Sequence, residues 1–103
     1  MTEATRFTSF RDFYPYYLSE HRDRRCRLLH FIGSLGVLAW LAFIFSTGRA
    51  SWWPVALLIG YGFAWVGHFV FEHNRPATFK YPLYSFVGDW VMFGQILRGQ
   101  IRL

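Results

Sequence analysis

Two long uncharged apolar runs constrain this chain more than any other feature. Residues 28–45 read LLHFIGSLGVLAWLAFIF and residues 52–71 read WWPVALLIGYGFAWVGHFVF, which are 18 and 20 residues without a formal charge. As helices they are each about 27–30 Å long, close to the thickness of the hydrocarbon core of a bilayer. Neither run has a polar face at the helical period, and a chain of 103 residues is too small to bury two such helices. We therefore predict two transmembrane helices, over about 27–46 and about 52–72.

The link between the two runs predicts how they are arranged. Residues 46–51 are few and polar, so the helices are expected to form an antiparallel hairpin. Only Arg49 lies in the link, whereas six basic residues lie near the other ends of the helices: Arg22, Arg24, Arg25, Arg27, Arg75 and Lys80. Because basic residues concentrate on the cytoplasmic side of a membrane, we expect both termini in the cytoplasm.

Two flanking segments are predicted to be helical and to lie at the membrane surface or partly within it. Residues about 7–20 are aromatic and amphipathic, are interrupted by Pro15, and are expected to form an interfacial helix. Residues about 82–98 are apolar with Asp89 near the middle, and we favour a helix packed on the hairpin with Asp89 facing protein. The predicted fold is all-α: one integral membrane domain over 1–103, built on a two-helix transmembrane hairpin with flanking interfacial or partial membrane helices.

Composition excludes several classes of function. The net charge of +5 comes with no basic tail, so nucleic acid is not an expected partner. Cys26 is the only cysteine, which excludes an intrachain disulfide and a zinc site with four cysteine ligands. The N-terminal residues lack the pattern of a cleaved signal peptide. The sequence contains no nucleophile elbow, phosphate-binding glycine loop or dinucleotide fingerprint.

The four histidines all lie at the predicted cytoplasmic end of the hairpin. His30 is near the start of the first run and His68 near the end of the second, so an antiparallel hairpin places them at nearly the same depth. Glu72 follows His68 by four residues and shares its helix face. His21 precedes His30 by nine residues, so the two converge only if the chain bends near residues 22–25.

This arrangement predicts a metal site. Imidazoles that converge with a carboxylate suit zinc, iron, copper or nickel, and such a set with open positions is the pattern for ferrous iron and O₂. Glu72, or Asp89 if its segment folds back, is expected to ligate the metal or to orient a histidine. Arginines beside the first helix, or Arg75, offer bidentate donors to a fatty-acid carboxylate.

Other interpretations stay open on the residues alone. Histidines at a helix end also make ordinary interfacial hydrogen bonds, which fits a non-enzymatic small membrane subunit or a lipid-binding protein. A metal or haem carrier is a further alternative. His73 is the weakest candidate ligand, because the Asn-Arg-Pro that follows it favours an exposed turn.

Two stretches carry a family resemblance: TSFRDFYPYYLSEHRDRRCRLLHFIG (8–33) and GHFVFEHNRPATFKYPLYSFVGDW (67–90). They resemble the small membrane-protein family typified by the yeast endoplasmic-reticulum 2-hydroxy fatty acid dioxygenase, over nearly the whole chain. The shared features are a Tyr-rich lead into His21, a second histidine nine residues later, and Gly-His-x-x-x-Glu (67–72) followed by Arg-Pro-Ala (75–77).

The resemblance implies an iron(II)-dependent α-oxidation, in which a 2-hydroxy fatty acid and O₂ give the acid one carbon shorter and CO₂. It implies His21, His30 and His68 as metal ligands and Glu72 as a ligand or its neighbour, and nothing is transferred to His73. To these we add Asp89 as a catalytic candidate and Arg27 and Arg75 as contacts of the substrate carboxylate.

The resemblance also bears on location and substrate. The chain lacks hydrophobic sequence that the yeast-type protein has between its two halves, and the short form looks bacterial. We therefore expect a bacterial inner (cytoplasmic) membrane protein, and a different hydroxy acid or lipid stays possible as the substrate. Oligomeric state is left open.

Overall fold

Helices make up the fold of residues 6–103, the part of the chain that the structure, a computed structural model, describes. The α-helices are α1 (Phe10–Ser19), α2 (Arg24–Ser46), α3 (Pro54–Val66) and α4 (Pro82–Leu97). A 3₁₀ turn (Ala50–Trp52) precedes α3, a π-helical turn (Gly67–Glu72) continues it, and a second 3₁₀ turn (Ala77–Phe79) precedes α4. Residues 6–103 contain no strand, so the all-α prediction is confirmed. The single domain predicted over 1–103 stays a prediction, and residues 1–5 lie outside the described residues.

The two predicted transmembrane helices form a hairpin. Its arms are Arg24–Ser46 and Ala50–Glu72, each 23 residues long, with mean hydropathies of 2.1 and 1.6 over their most apolar stretches. Only 17% and 22% of those stretches is buried within the protein, so most of the apolar surface faces outward. Because a core helix of a soluble protein would be mostly buried, both arms are candidates to span a membrane, as the sequence predicts.

Local sequence explains where the arms begin and reverse. The Asp23 carboxylate accepts a hydrogen bond from the backbone N–H of Arg25 at 2.8 Å and caps α2, so this helix begins at Arg24 rather than at about 27. Gly48 has a φ of +73°, a conformation that glycine adopts without strain, and it lets the link reverse direction. Pro54 is the first residue of α3. A backbone N–H at this position would have no partner within the helix, so proline removes no helical hydrogen bond here.

At the open end of the hairpin, α1 and α4 pack on each other. The buried core there consists of Phe13, Tyr17, Ala77, Tyr81 and Met92. The ring of Phe31 on α2 stacks on Phe93 of α4, with centroids 5.1 Å apart, so α4 also lies against the hairpin. With 16 residues α4 is about 24 Å long, shorter than either arm. The two flanking helices therefore form a cap over one end of the hairpin.

The prediction that Pro15 interrupts the first segment is wrong. Pro15 lies inside α1, which runs from Phe10 to Ser19. Proline removes one backbone hydrogen bond from a helix interior. Short helices derive most of their stability from tertiary packing, and the aromatic face of α1, with Phe13 and Tyr17 buried, supplies that packing.

We predict that Phe13→Ala lowers the free energy of unfolding by about 3 kcal/mol or more, because its ring is fully buried between α1 and α4. Phe45→Ala is the matched control, since that ring is 62% exposed on the outer surface of α2 and should change stability by about 0.5 kcal/mol or less. Unfolding of the purified protein in detergent measures both, and equal effects would contradict this account of the cap.

Candidate metal centre

Three imidazoles from distant parts of the chain meet where the cap joins the hairpin. His21 follows the end of α1, His30 lies in α2, and His68 lies in the π-helical turn after α3. The Nε2 atom of His21 is 3.1 Å from that of His30 and 3.0 Å from that of His68. All three side chains are buried, with 2%, 7% and 2% of their surface exposed.

The outer nitrogen of each ring has an oxygen partner. Nδ1 of His21 lies 2.6 Å from the carbonyl of Tyr17, and Nδ1 of His30 lies 2.9 Å from the carbonyl of Cys26. Nδ1 of His68 lies 2.7 Å from Oδ1 of Asn74. Since a carbonyl only accepts hydrogen bonds, the Nδ1 atoms carry the protons and the Nε2 lone pairs point at one another. Lone pairs that converge in this way suit a shared cation.

The geometry of the nitrogens fits a single ion. Two nitrogens bound to one ion at about 2.1 Å, with about 90° between them, lie about 3.0 Å apart. The observed separations of 3.0 and 3.1 Å match that value. A cavity of about 20 Å³ adjoins the three rings, which is room for about one water-sized species.

Electrostatics favour the neutral rings that metal binding requires. Burial and the neighbouring imidazoles lower the pKa of His21 well below its usual value, so this ring is uncharged at neutral pH. An uncharged ring keeps its Nε2 lone pair free for a metal.

Cys26 belongs to the same buried group. Its side chain is fully buried, and the ligand atoms of His21, Cys26, His30 and His68 all lie within 4.8 Å of one another. The Sγ atom is 3.7 Å from Nδ1 of His30, so the thiol flanks that ring on the side away from its Nε2. These four residues can bind a metal ion, with the histidine Nε2 atoms at the centre of the group.

A sharp bend between α1 and α2 carries His21 back to the other two rings. Its backbone N–H bonds to the carbonyl of Leu18 at 3.0 Å. The Glu72 carboxylate accepts a hydrogen bond from the backbone N–H of Asp23 at 2.5 Å. The guanidinium of Arg27 donates to the carbonyls of His21 and Arg22 at 3.0 and 2.7 Å. The bend is therefore tied to both arms of the hairpin.

The sequence-predicted roles of Glu72 and Arg27 stay predictions. In the structure both side chains hold the bend, and Arg27 also donates to the carbonyl of Arg102 at 3.0 Å. Arg75 is exposed, with its guanidinium 5.3 Å from the centre of the Phe79 ring. His73 is exposed and has a positive φ of 59°, outside the group of converging rings.

Asp89 lies on α4 at the edge of the site. Its carboxylate accepts a hydrogen bond from the hydroxyl of Tyr17 and faces protein, and burial raises the pKa of Asp89 to about 7. The side chain lines the small cavity beside the rings and also a larger cavity of about 300 Å³ that runs between the helices. Its predicted catalytic role stays a prediction.

Sequence reasoning missed two residues of the site. Cys26 precedes His30 by four residues, and that helical spacing was a usable signal. Asn74 gave no such signal, because the helical turn ends at Glu72 and the chain then folds Asn74 back onto His68. The amide of Asn74 also donates to the carbonyl of Glu20 at 3.1 Å, so it links the bend to the ligand.

Comparison of the sequence with models of protein families identifies the family of this chain. The family model described as 2-hydroxy-palmitic acid dioxygenase Mpo1-like matches residues 7–101. The chain belongs to this family. Membership confirms the resemblance read from the sequence, and it implies a dioxygenase-like function on 2-hydroxy fatty acids for this Mpo1-like chain. No curated protein and no solved structure matches the chain.

Gly67 sets how closely the two arms approach beside His68. A Cβ atom at this position would lie 2.9 Å from Sγ and 3.1 Å from Cα of Cys26. We predict that Gly67→Ala destabilises the protein by about 1–3 kcal/mol, because the backbone of α2 must move away.

The matched control is Gly62→Ala on the same arm, where a Cβ atom would have no neighbour within 4 Å. That change should be neutral or stabilising, since alanine favours a helix by up to about 1 kcal/mol over glycine. Thermal unfolding in detergent measures both variants. A Gly67→Ala protein as stable as Gly62→Ala would show that the arms do not need this contact.

Proposed function

We propose that this Mpo1-like chain is an iron(II)-dependent dioxygenase that shortens a 2-hydroxy fatty acid by one carbon. The observation that carries the proposal is the convergence of three buried Nε2 atoms, each on a ring whose Nδ1 is fixed by an oxygen partner. Three neutral nitrogen donors that leave further positions open suit ferrous iron and O₂. Family membership supplies the substrate class, and the large apolar cavity beside the rings suits its alkyl tail.

The reaction balances without an added reductant. A 2-hydroxy acid and O₂ give the acid one carbon shorter, CO₂ and water. The bond between the carboxyl carbon and the hydroxyl-bearing carbon breaks, the hydroxyl-bearing carbon becomes the new carboxyl carbon, and O₂ is the oxidant. Bound iron(II) would supply the redox chemistry that lets O₂ react with an organic molecule.

The residues of the chain hold and shield the site. His21, His30 and His68 would hold the metal, and their Nδ1 partners keep the rings from rotating. The aromatic cap of α1 and α4 covers the site on the side away from the hairpin and keeps bulk water from it. We keep Glu72 and Asp89 as catalytic candidates, and Asp89 lines the cavity beside the rings.

Contacts to the substrate carboxylate are part of the same proposal. Arg27 and Arg75 are retained as candidates from the sequence. Arg75 is exposed, whereas the terminal nitrogens of Arg27 already bond to backbone carbonyls. Arg75 is therefore the better placed of the two to meet a carboxylate that enters from the polar side.

The charge pattern supports a location. Apart from Arg49 in the link, the basic residues beside the two arms lie at the same end as the cap and the histidines, so the positive-inside rule favours a metal site at the cytoplasmic surface of the membrane. We propose the bacterial cytoplasmic membrane, with both termini in the cytoplasm and the fatty acid and O₂ as the reacting partners.

We predict that His21→Ala, His30→Ala and His68→Ala each abolish stoichiometric iron and reduce formation of the shortened acid by at least about 100-fold, because each removes one of three ligands. Elemental analysis of protein purified without oxygen measures the metal. Mass spectrometry of membranes supplied with 2-hydroxy acids and ¹⁸O₂ measures the product.

His73→Ala is the control, since this histidine is exposed in the same segment and should leave iron and product unchanged. Metal-free protein with unchanged stability in all four variants would support a structural or lipid-binding subunit instead. A Soret band would indicate a haem carrier. Stoichiometric zinc in place of iron, without product, would overturn the oxygenase proposal and leave a metal site.

A further inference from the structure

The larger cavity begins at the metal site and ends near the opposite end of the hairpin. It shares His30, Tyr61, Ala64 and Asp89 with the small cavity beside the rings. At its far end it is lined by Leu41, Trp53, Ala56 and Leu57. His30 and Leu41 are eleven residues apart on α2, so the cavity spans about 16 Å along the helix axis. Its lining is otherwise apolar apart from Ser34, which lies one turn from His30.

This shape suits one kind of occupant. A cavity of about 300 Å³ lies at the lower end of the volumes typical of ligand-binding pockets. Apolar walls along its length and metal ligands at one end match a molecule with one polar head and a single unbranched tail. Because the lining ends at Leu41 and Trp53, the apolar surface that the protein offers to a tail has a limited length.

We propose that this cavity binds the alkyl chain of the substrate between the helices and limits its length, with Ala56 as the residue that sets the limit. The proposal rests on the proposed function for the identity of the head group. It places the tail inside the protein rather than among the surrounding lipids. Ala56 is 8% exposed and lines the far end of the cavity, so a larger side chain there would fill the space that the last carbons of the tail need.

The test compares two positions along one helix. We expect Ala56→Phe to shift the preferred 2-hydroxy acid to a shorter chain by several carbons, whereas Ala64→Phe, beside the rings, weakens binding of every chain length. Leu58→Phe is the control, because Leu58 is 74% exposed on the outer face of α3 and should keep the wild-type preference. Trp53→Ala opens the far end and should extend the preference to longer chains, which keeps the test informative if Ala56→Phe does not fold.

Affinity is measured for a series of 2-hydroxy acids in lipid nanodiscs, by displacement of a fluorescent fatty acid, and turnover is measured in parallel. A shifted affinity profile without product retains the binding site and rejects the oxygenase. An identical chain-length profile in wild type, Ala56→Phe and Trp53→Ala rejects the length limit, and it would indicate that the tail lies in the bilayer or that a lipid chain fills the cavity.

A second inference rests on a separate observation, the side chain of Ser85. It is 4% exposed, lines the small cavity together with the three histidines, and its Oγ has no hydrogen-bond partner within residues 6–103. Buried hydroxyl groups are almost always hydrogen-bonded, so one that faces a cavity points to a ligand there. We propose that Ser85 donates a hydrogen bond to an oxygen atom of the substrate head group, and this proposal too rests on the proposed function.

We expect Ser85→Ala to weaken binding of a 2-hydroxy acid by about tenfold. The iron content should stay the same, and the melting temperature should stay the same or rise. Removing an unpaired buried hydroxyl should not destabilise the empty protein, so a structural role would instead lower the melting temperature. The unhydroxylated acid of equal length distinguishes the contact: a loss for both acids indicates the carboxylate, and a loss for the hydroxy acid alone indicates the 2-hydroxyl. Wild-type affinity for both acids in Ser85→Ala would overturn the proposal.

Discussion

The bend between α1 and α2 is the constraint on which the site depends. In one continuous helix, His21 and His30 would point to opposite sides, because nine residues are two and a half turns. The Glu72 carboxylate, on the second arm, accepts a hydrogen bond from the backbone N–H of Asp23. The Arg27 guanidinium donates to the carbonyls of His21 and Arg22, and together these bonds hold the bend. The charged residues near the ligands thus determine where His21 lies, whether or not they also contact substrate.

The same region of the structure also fixes how the three rings are oriented. Three neutral imidazoles with converging lone pairs repel one another weakly. Because the rings are buried, hydrogen bonds to bulk water do not offset this repulsion. Hydrogen bonds that the Nδ1 atoms donate to the carbonyls of Tyr17 and Cys26 and to Oδ1 of Asn74 hold the rings in this orientation. These contacts supply much of the ordering that a metal site requires.

How much of this could be predicted from the sequence depends on the range of the interaction. The hairpin and the common depth of His30 and His68 follow from hydropathy and length, which are properties of each segment alone. The direction of the bend at His21 and the fold of Asn74 onto His68 do not, because they are set by contacts between residues far apart in sequence. The course of α1 through Pro15 was missed for the same reason, as tertiary packing outweighs a local helix-breaking signal.

The division of the molecule into cap and hairpin explains why the site lies between them. A fatty acid has a polar head that needs charged and hydrogen-bonding groups and a tail that needs apolar surface, and these environments meet at the membrane surface. The cap supplies Tyr17, Ser85 and Asp89 around the rings, while the hairpin, together with Phe86 and Trp90 of α4, lines an apolar cavity that starts at His30. Most of the outer face of the hairpin is apolar and is not covered by further helices, which fits a helix pair that lies in lipid. A chain this short can therefore bind an amphipathic molecule along its length, provided that the bilayer completes its outer surface.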